Sequence, residues 1–151
     1  MGRNILDGNI HYAVGGGLCQ LAGIIYDLAV HTGMEIVERH SHSVDIYTDD
    51  TRYAPLGMDS AVAYGYKDLR FKNPYDFPVY IRFDLTNNQL SVRLVSDKPV
   101  NLYQIGITRQ NYEKTSLIRL SRKKESDHLW EILNISEYLK YEPNQSSFPE
   151  E

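Results

Sequence analysis

Apolar and polar positions alternate along most of this chain, and only one stretch departs clearly from that rhythm. From Leu18 to about Thr32 the apolar residues Leu18, Leu21, Ala22, Ile25, Leu28 and Ala29 recur at helical spacing, and Gly33 supplies a stop. This segment predicts a helix. Gly23 weakens it by up to about 1 kcal/mol relative to Ala, and its few polar groups predict a helix buried on most sides. Elsewhere the period is two. Met34, Ile36, Glu38, His40, His42, Val44 and Ile46 alternate with more polar neighbours and predict one strand. Ser60 to Tyr66 predicts a second, and Leu69 to Lys72 continues the sheet. Pro78 to Thr86 carries Val79, Ile81, Phe83 and Leu85 on one face, then Asn87-Asn88 marks a turn, and Leu90, Val92 and Leu94 return as a hairpin. Asn101 to Arg109, Ser116 to Arg122 and Leu129 to Ile135 read as further strands. A helix followed by a run of short strands predicts an α+β fold, with one buried N-terminal helix packed on a mostly antiparallel sheet and a strand-rich C-terminal part.

Composition narrows the class. The chain has 151 residues, of which 42% are hydrophobic and 24% charged, as in an ordinary globular domain. The length predicts one domain over residues 1–142, followed by a flexible polar tail over 143–151. Lys and Arg number 16 against 20 Asp and Glu, a net charge of −4. Without a basic excess, no nucleic-acid partner is expected. No apolar run approaches the ~20 residues that span a bilayer, so no transmembrane segment is expected. The start shows no charged region followed by an apolar one, which predicts a cytoplasmic chain, or an envelope-associated one if the true start lies upstream. Oligomeric state has no signature in the sequence. A single cysteine, Cys19, rules out an intramolecular disulfide.

Three segments bear chemistry. The first is Gly15-Gly16-Gly17-Leu18-Cys19-Gln20, leading into the helix. Glycines permit a close approach of another chain. A cysteine in the first helical turn lies beside unpaired N–H groups, which favours a thiolate. The same groups suit a developing oxyanion, and Gln20 offers an amide donor. The alternative is a cysteine acting as a small buried hydrophobe. The second segment is Glu38-Arg39-His40-Ser41-His42-Ser43. On an extended strand Glu38, His40 and His42 share a side. One histidine is then a general base for Cys19, or Cys19, His40 and His42 form a zinc site, or the histidines are a structural pair. The third is Asp59, ahead of the second predicted strand. It either orients a histidine as the third member of a triad or satisfies N–H groups of a turn. Tyr26, seven residues after Cys19 on the same side of the helix, lines a pocket or packs in the core. His11, His31 and His128 have no evident partner, and Arg122-Lys123-Lys124 reads as a solvated hairpin turn.

Together these segments resemble the VanW family, named from a vancomycin-resistance gene cluster. The resemblance runs through Gly15 to Gln20, Tyr26, Glu35 to Ser43, Asp59, Ala61 to Gly65, Asp68, Phe71 to Asn73 and Pro78 to Ile81. It is strong over residues 8–95 and weaker over 96–142. Some members of that family are regarded as L,D-transpeptidases that use the domain's cysteine. The resemblance therefore implies a link with antibiotic resistance and with peptidoglycan-type peptide substrates. It implies Cys19 as nucleophile and makes His40 and His42 the candidates for its base. Asp59 completes the candidate catalytic set, and Gly16, Gly17, Gln20, Arg39 and Tyr64 are the candidate substrate-binding residues. No cofactor or resident metal is expected on that reading. The other readings are a non-catalytic binding module for envelope peptides and a zinc-binding protein.

Overall fold

The computed structural model describes residues 2–6, 9–13, 17–47, 50, 52 and 54–141, the first two segments as backbone alone. Gly16 and the predicted tail over 143–151 lie outside the described residues. Among the described residues, ten strands and one helix follow in the order β1 (Gly2–Leu6), β2 (Asn9–Ala13), α1 (Leu18–His31), β3 (Glu35–Glu38), β4 (Val44–Asp45), β5 (Arg70–Lys72), β6 (Val79–Thr86), β7 (Gln89–Ser96), β8 (Tyr103–Asn111), β9 (Thr115–Lys124) and β10 (Glu131–Lys140). The α+β expectation holds. The strands form one four-stranded sheet, β4-β10-β9-β8, and the separate pairs β1-β2, β3-β5 and β6-β7. Every pairing is antiparallel except β4 with β10.

Helix α1 follows its predicted span, but its buried face is rotated from the expected one. Ala22, Gly23, Tyr26, Ala29 and Val30 are buried, whereas Leu18 is 58% exposed. Tyr26, Val30, Met58 and Leu120 form the core cluster, with Ile36, Ala54, Leu69, Ile105 and Leu133 packed against it. The helix stops where Gly33 takes a φ of 73°. The Met34 N–H then reaches back to the Ala29 carbonyl at 2.9 Å, the double-wound ending that glycine permits.

The β6–β7 hairpin turns through Asn87 and Asn88, both at positive φ, as a two-residue loop requires. Its register puts Ile81 opposite Leu94 and Phe83 opposite Val92, the expected apolar face.

Two strand expectations need correction. The alternating run from Met34 to Ile46 is not one strand. It breaks after Glu38 and resumes at Val44, because Arg39 turns into the interior, where its side chain is 4% exposed. Ser60 to Tyr66 is not a strand either. The Ala61 N–H bonds the His40 carbonyl at 2.8 Å, and Ala63 pairs only with Lys67 across a turn. The β1–β2 hairpin was not expected.

Arg122 is also corrected. It lies in β9 rather than in a solvated turn and is 8% exposed. Its Nε donates to Glu131 at 2.8 Å and its Nη1 to the Met34 carbonyl at 2.8 Å. The guanidinium lies 4.9 Å from the Tyr103 ring centre, so β9 ties down the chain that leaves α1.

Candidate active site

Cys19 opens the buried stripe of α1. Counting from it, Ala22, Gly23, Tyr26 and Val30 follow at i+3, i+4, i+7 and i+11, the spacing of one helix face. Gly17 begins the helix at a φ of 97°, with no side chain capping the first N–H groups. The Cys19 side chain is half-buried. Its thiol lies 3.6 Å from the Val62 carbonyl, and the Val62 N–H donates to the sulfur at 3.5 Å.

The break in the strand after Glu38 delivers His42 to this sulfur. Its ring Nδ1 meets Asp59 Oδ2 at 2.7 Å, and its backbone N–H donates to the same oxygen at 2.8 Å. With Nδ1 committed, the other ring nitrogen is left for the thiol. Hydrogen bonding to His42 is the largest influence on Cys19 and lowers its pKa, against burial, which raises it; the Val62 N–H adds to the lowering. The Asp59 hydrogen bond, and then that of Cys19, raise His42 to about 9. Burial pushes Asp59 up, but His42, Arg39 and Tyr138 outweigh it and hold the carboxyl at about 2. At neutral pH the carboxylate is therefore charged and His42 is held protonated, the arrangement that stabilises a thiolate beside it.

The other oxygen of Asp59 faces inward. Arg39 Nη2 donates to Oδ1 at 2.8 Å, and the Tyr138 hydroxyl donates to it at 2.5 Å. Arg39 also donates through Nε to the Asp59 carbonyl, through Nη2 to the Gly57 carbonyl and through Nη1 to Ser136. Its guanidinium lies 5.2 Å from the Tyr26 ring centre. All of these partners are internal, so Arg39 holds the site together from beneath and is not placed at the surface to contact a substrate.

The two histidines part company. His40 turns to Glu38, Nε2 to Oε1 at 2.9 Å, so the expectation that both histidines share one face of a strand is corrected. Zinc would need three or more His, Cys, Asp or Glu side chains gathered at one point, and there is no such group among the described residues. Gln20 and Gly17 line a cleft of about 680 Å³ with Leu21, Ile24, Asn88 and Leu90 among others. The helix spacing puts that cleft on the flank away from Cys19, so the Gln20 amide is not where an oxyanion beside the sulfur would form. Tyr64 is fully exposed, at 103%, on the turn after Val62. Tyr26 belongs to the core, its hydroxyl accepting from Asn134 at 2.7 Å. His31 does have a partner, Asp27, one helical turn back. Tyr138 and Ser136 were missed as members of the site. The one sequence signal for them is a run of polar residues at alternate positions, Asn134, Ser136 and Tyr138, set among Ile132, Leu133, Ile135 and Leu139.

A family model described as "VanW like protein" matches residues 1–95. The chain is 33% identical over 97 residues to the uncharacterized protein YoaR of Bacillus subtilis (strain 168), which covers 64% of this chain and 30% of that protein. It is 26% identical over 116 residues to the vancomycin B-type resistance protein VanW of Enterococcus faecalis (strain ATCC 700802 / V583), covering 76% of this chain and 42% of that protein. The chain thus spans less than half the length of either relative. No solved structure matches it.

Proposed function

This chain belongs to the VanW family, and from that premise we propose that it is a cysteine-dependent acyl transferase acting on peptides of the cell-wall type. The observation that carries the reading is the line from Asp59 through His42 to Cys19, with a 2.7 Å contact between carboxylate and imidazole and a thiol lowered by the same imidazole.

In this reaction the Cys19 thiolate attacks a substrate carbonyl carbon and forms a C–S bond. The resulting oxyanion faces the unpaired N–H groups at the start of α1. The protonated His42 then gives its proton to the departing amine as the C–N bond breaks, leaving a thioester. An incoming amine or water gives a proton back to His42 as it attacks, and the thiolate is released. Asp59 keeps the imidazole in one tautomer and balances its charge. His42 is the base in this scheme, since His40 is held by Glu38. Tyr64, on the turn that follows Val62, is a surface against which a peptide lies across the sulfur. L,D-transpeptidase-like exchange on peptidoglycan stem peptides is the version of this reaction that the family resemblance favours.

The test is incubation with stem-peptide acyl donors and with β-lactam-like probes, read by intact mass. The expected result is an adduct on Cys19 that is absent in Cys19→Ala. Stem-peptide binding that survives in Cys19→Ala, with no adduct from any donor, would replace the enzyme with a binding module for envelope peptides.

A further inference from the structure

Taking Cys19 and His42 as the reacting pair proposed above, we infer that Ser136 and Tyr138 on the inner face of β10 are positioning residues. They hold the Arg39–Asp59 pair so that one carboxylate oxygen stays aimed at His42. The working site then extends past residues 1–95, which the family model matches, into the C-terminal sheet.

The connections form a path that runs from His42 back to α1. From His42 it passes to Asp59 Oδ2 at 2.7 Å. From Asp59 Oδ1 it runs to Tyr138, whose hydroxyl donates at 2.5 Å and accepts from Arg39 Nη2 at 3.1 Å. Arg39 Nη1 then donates to Ser136 Oγ at 2.7 Å, and Ser136 donates to Asn134 Oδ1 at 3.2 Å. Asn134 finally donates to the Tyr26 hydroxyl at 2.7 Å, seven residues along the helix from Cys19. Ser136 and Tyr138 are buried. Burying polar side chains costs free energy that apolar residues of the same shape would avoid, so a strand with only a packing role would carry apolar groups here. A carboxylate offers about four acceptor positions. Here Oδ1 takes Arg39 and Tyr138, and Oδ2 takes the His42 backbone and ring. With both oxygens held, the group cannot rotate away from the imidazole without breaking bonds on the far side.

The test compares Tyr138→Phe and Ser136→Ala with the wild-type chain, each first checked for folding by its thermal melt. One readout is the pH dependence of Cys19 alkylation. The other is the proton resonance of the His42 Nδ1–H, assigned with His42→Ala. Loss of positioning moves the alkylation midpoint up, so that alkylation at pH 6 slows by about threefold or more, as about half a pH unit requires. It also broadens the Nδ1–H signal through exchange with water. Folded variants with the wild-type midpoint and signal would overturn the inference. So would a midpoint that moves down, since the hydroxyls would then only be draining charge from the carboxylate. If Tyr138→Phe does not fold, Ser136→Ala decides alone. A wild-type Cys19 that titrates as a free thiol would instead be a failure of the proposed function, whatever the variants do.

Discussion

Asp59 has donors on both oxygens, and that decides the charge of His42 near neutrality. Its folded value of about 2 lies below the ~3.9 of an unfolded chain. The depressed carboxyl contributes stability that is present above about pH 4 and is lost as pH falls toward 2. The amount is on the order of 2 kcal/mol. Acid titration of folding, followed by far-UV circular dichroism, is expected to show this loss in the wild type. In Asp59→Asn the loss is absent, from a lower plateau, because the buried Arg39 charge is left uncompensated. His42→Ala is expected to slow Cys19 alkylation at pH 6 by about tenfold or more, whereas His40→Ala changes it by less than about twofold, one pH unit of thiol shift being a factor of ten. Similar slowing by both variants would mean that the two histidines act together. The sequence made Cys19 visible through the glycine run and the helix start, and the histidine pair through the alternation from Glu38 to His42. It left open which histidine serves, because a strand with both on one side was the simplest reading of the alternation. The inward turn of Arg39, which separates them, has no local signature.

Among the elements, α1 and the segment from Gly57 to Val62 carry the geometry. Gly57 has a φ of +100°, and a Cβ there would meet Ile118 Cγ2 at 2.6 Å. Its carbonyl also accepts from Arg39. Gly57→Ala is therefore expected to cost about 3 kcal/mol, combining left-handed strain with overpacking. Gly17 has a similar φ of +97° but open space around it, so Gly17→Ala costs only the backbone strain, about 1 kcal/mol. Urea unfolding of the two variants measures the difference, and equal losses would contradict it. The helix, the Asn87-Asn88 hairpin and the strands β8 to β10 were legible because each has one wet and one dry side or a turn that demands particular residues. The β1–β2 hairpin was legible too, since Asp7-Gly8 between Leu6 and Asn9 is a residue pair that a two-residue hairpin loop favours, and the alternation alone passed over it. The Ser60–Tyr66 stretch has strand composition, yet its hydrogen bonds go to the His40 carbonyl and to a local turn.

At the scale of the whole molecule, a helix and loops bearing the reactive groups rest on a four-stranded sheet that anchors them from below. Arg122 of β9 binds the Met34 carbonyl just past the end of α1, and β10 reaches Asp59 and Arg39. Arg122→Ala removes that tie together with the Glu131 pair, with an expected loss of about 2 kcal/mol in the thermal or urea midpoint. Such a long-range arrangement is the least readable from sequence, because Arg122 lies in what looks like a surface basic run and its partners lie elsewhere in the chain.

The central claim is that this fold holds Cys19 as a stabilised thiolate against His42. The most direct measurement is the rate of Cys19 alkylation against pH in the folded wild-type protein, read by intact mass, with the denatured protein as reference. The account predicts a folded midpoint well below the ~8.5 of a free thiol and the ordinary value after denaturation. A folded midpoint at or above that value, or a Cys19 that alkylates only after unfolding, would contradict it.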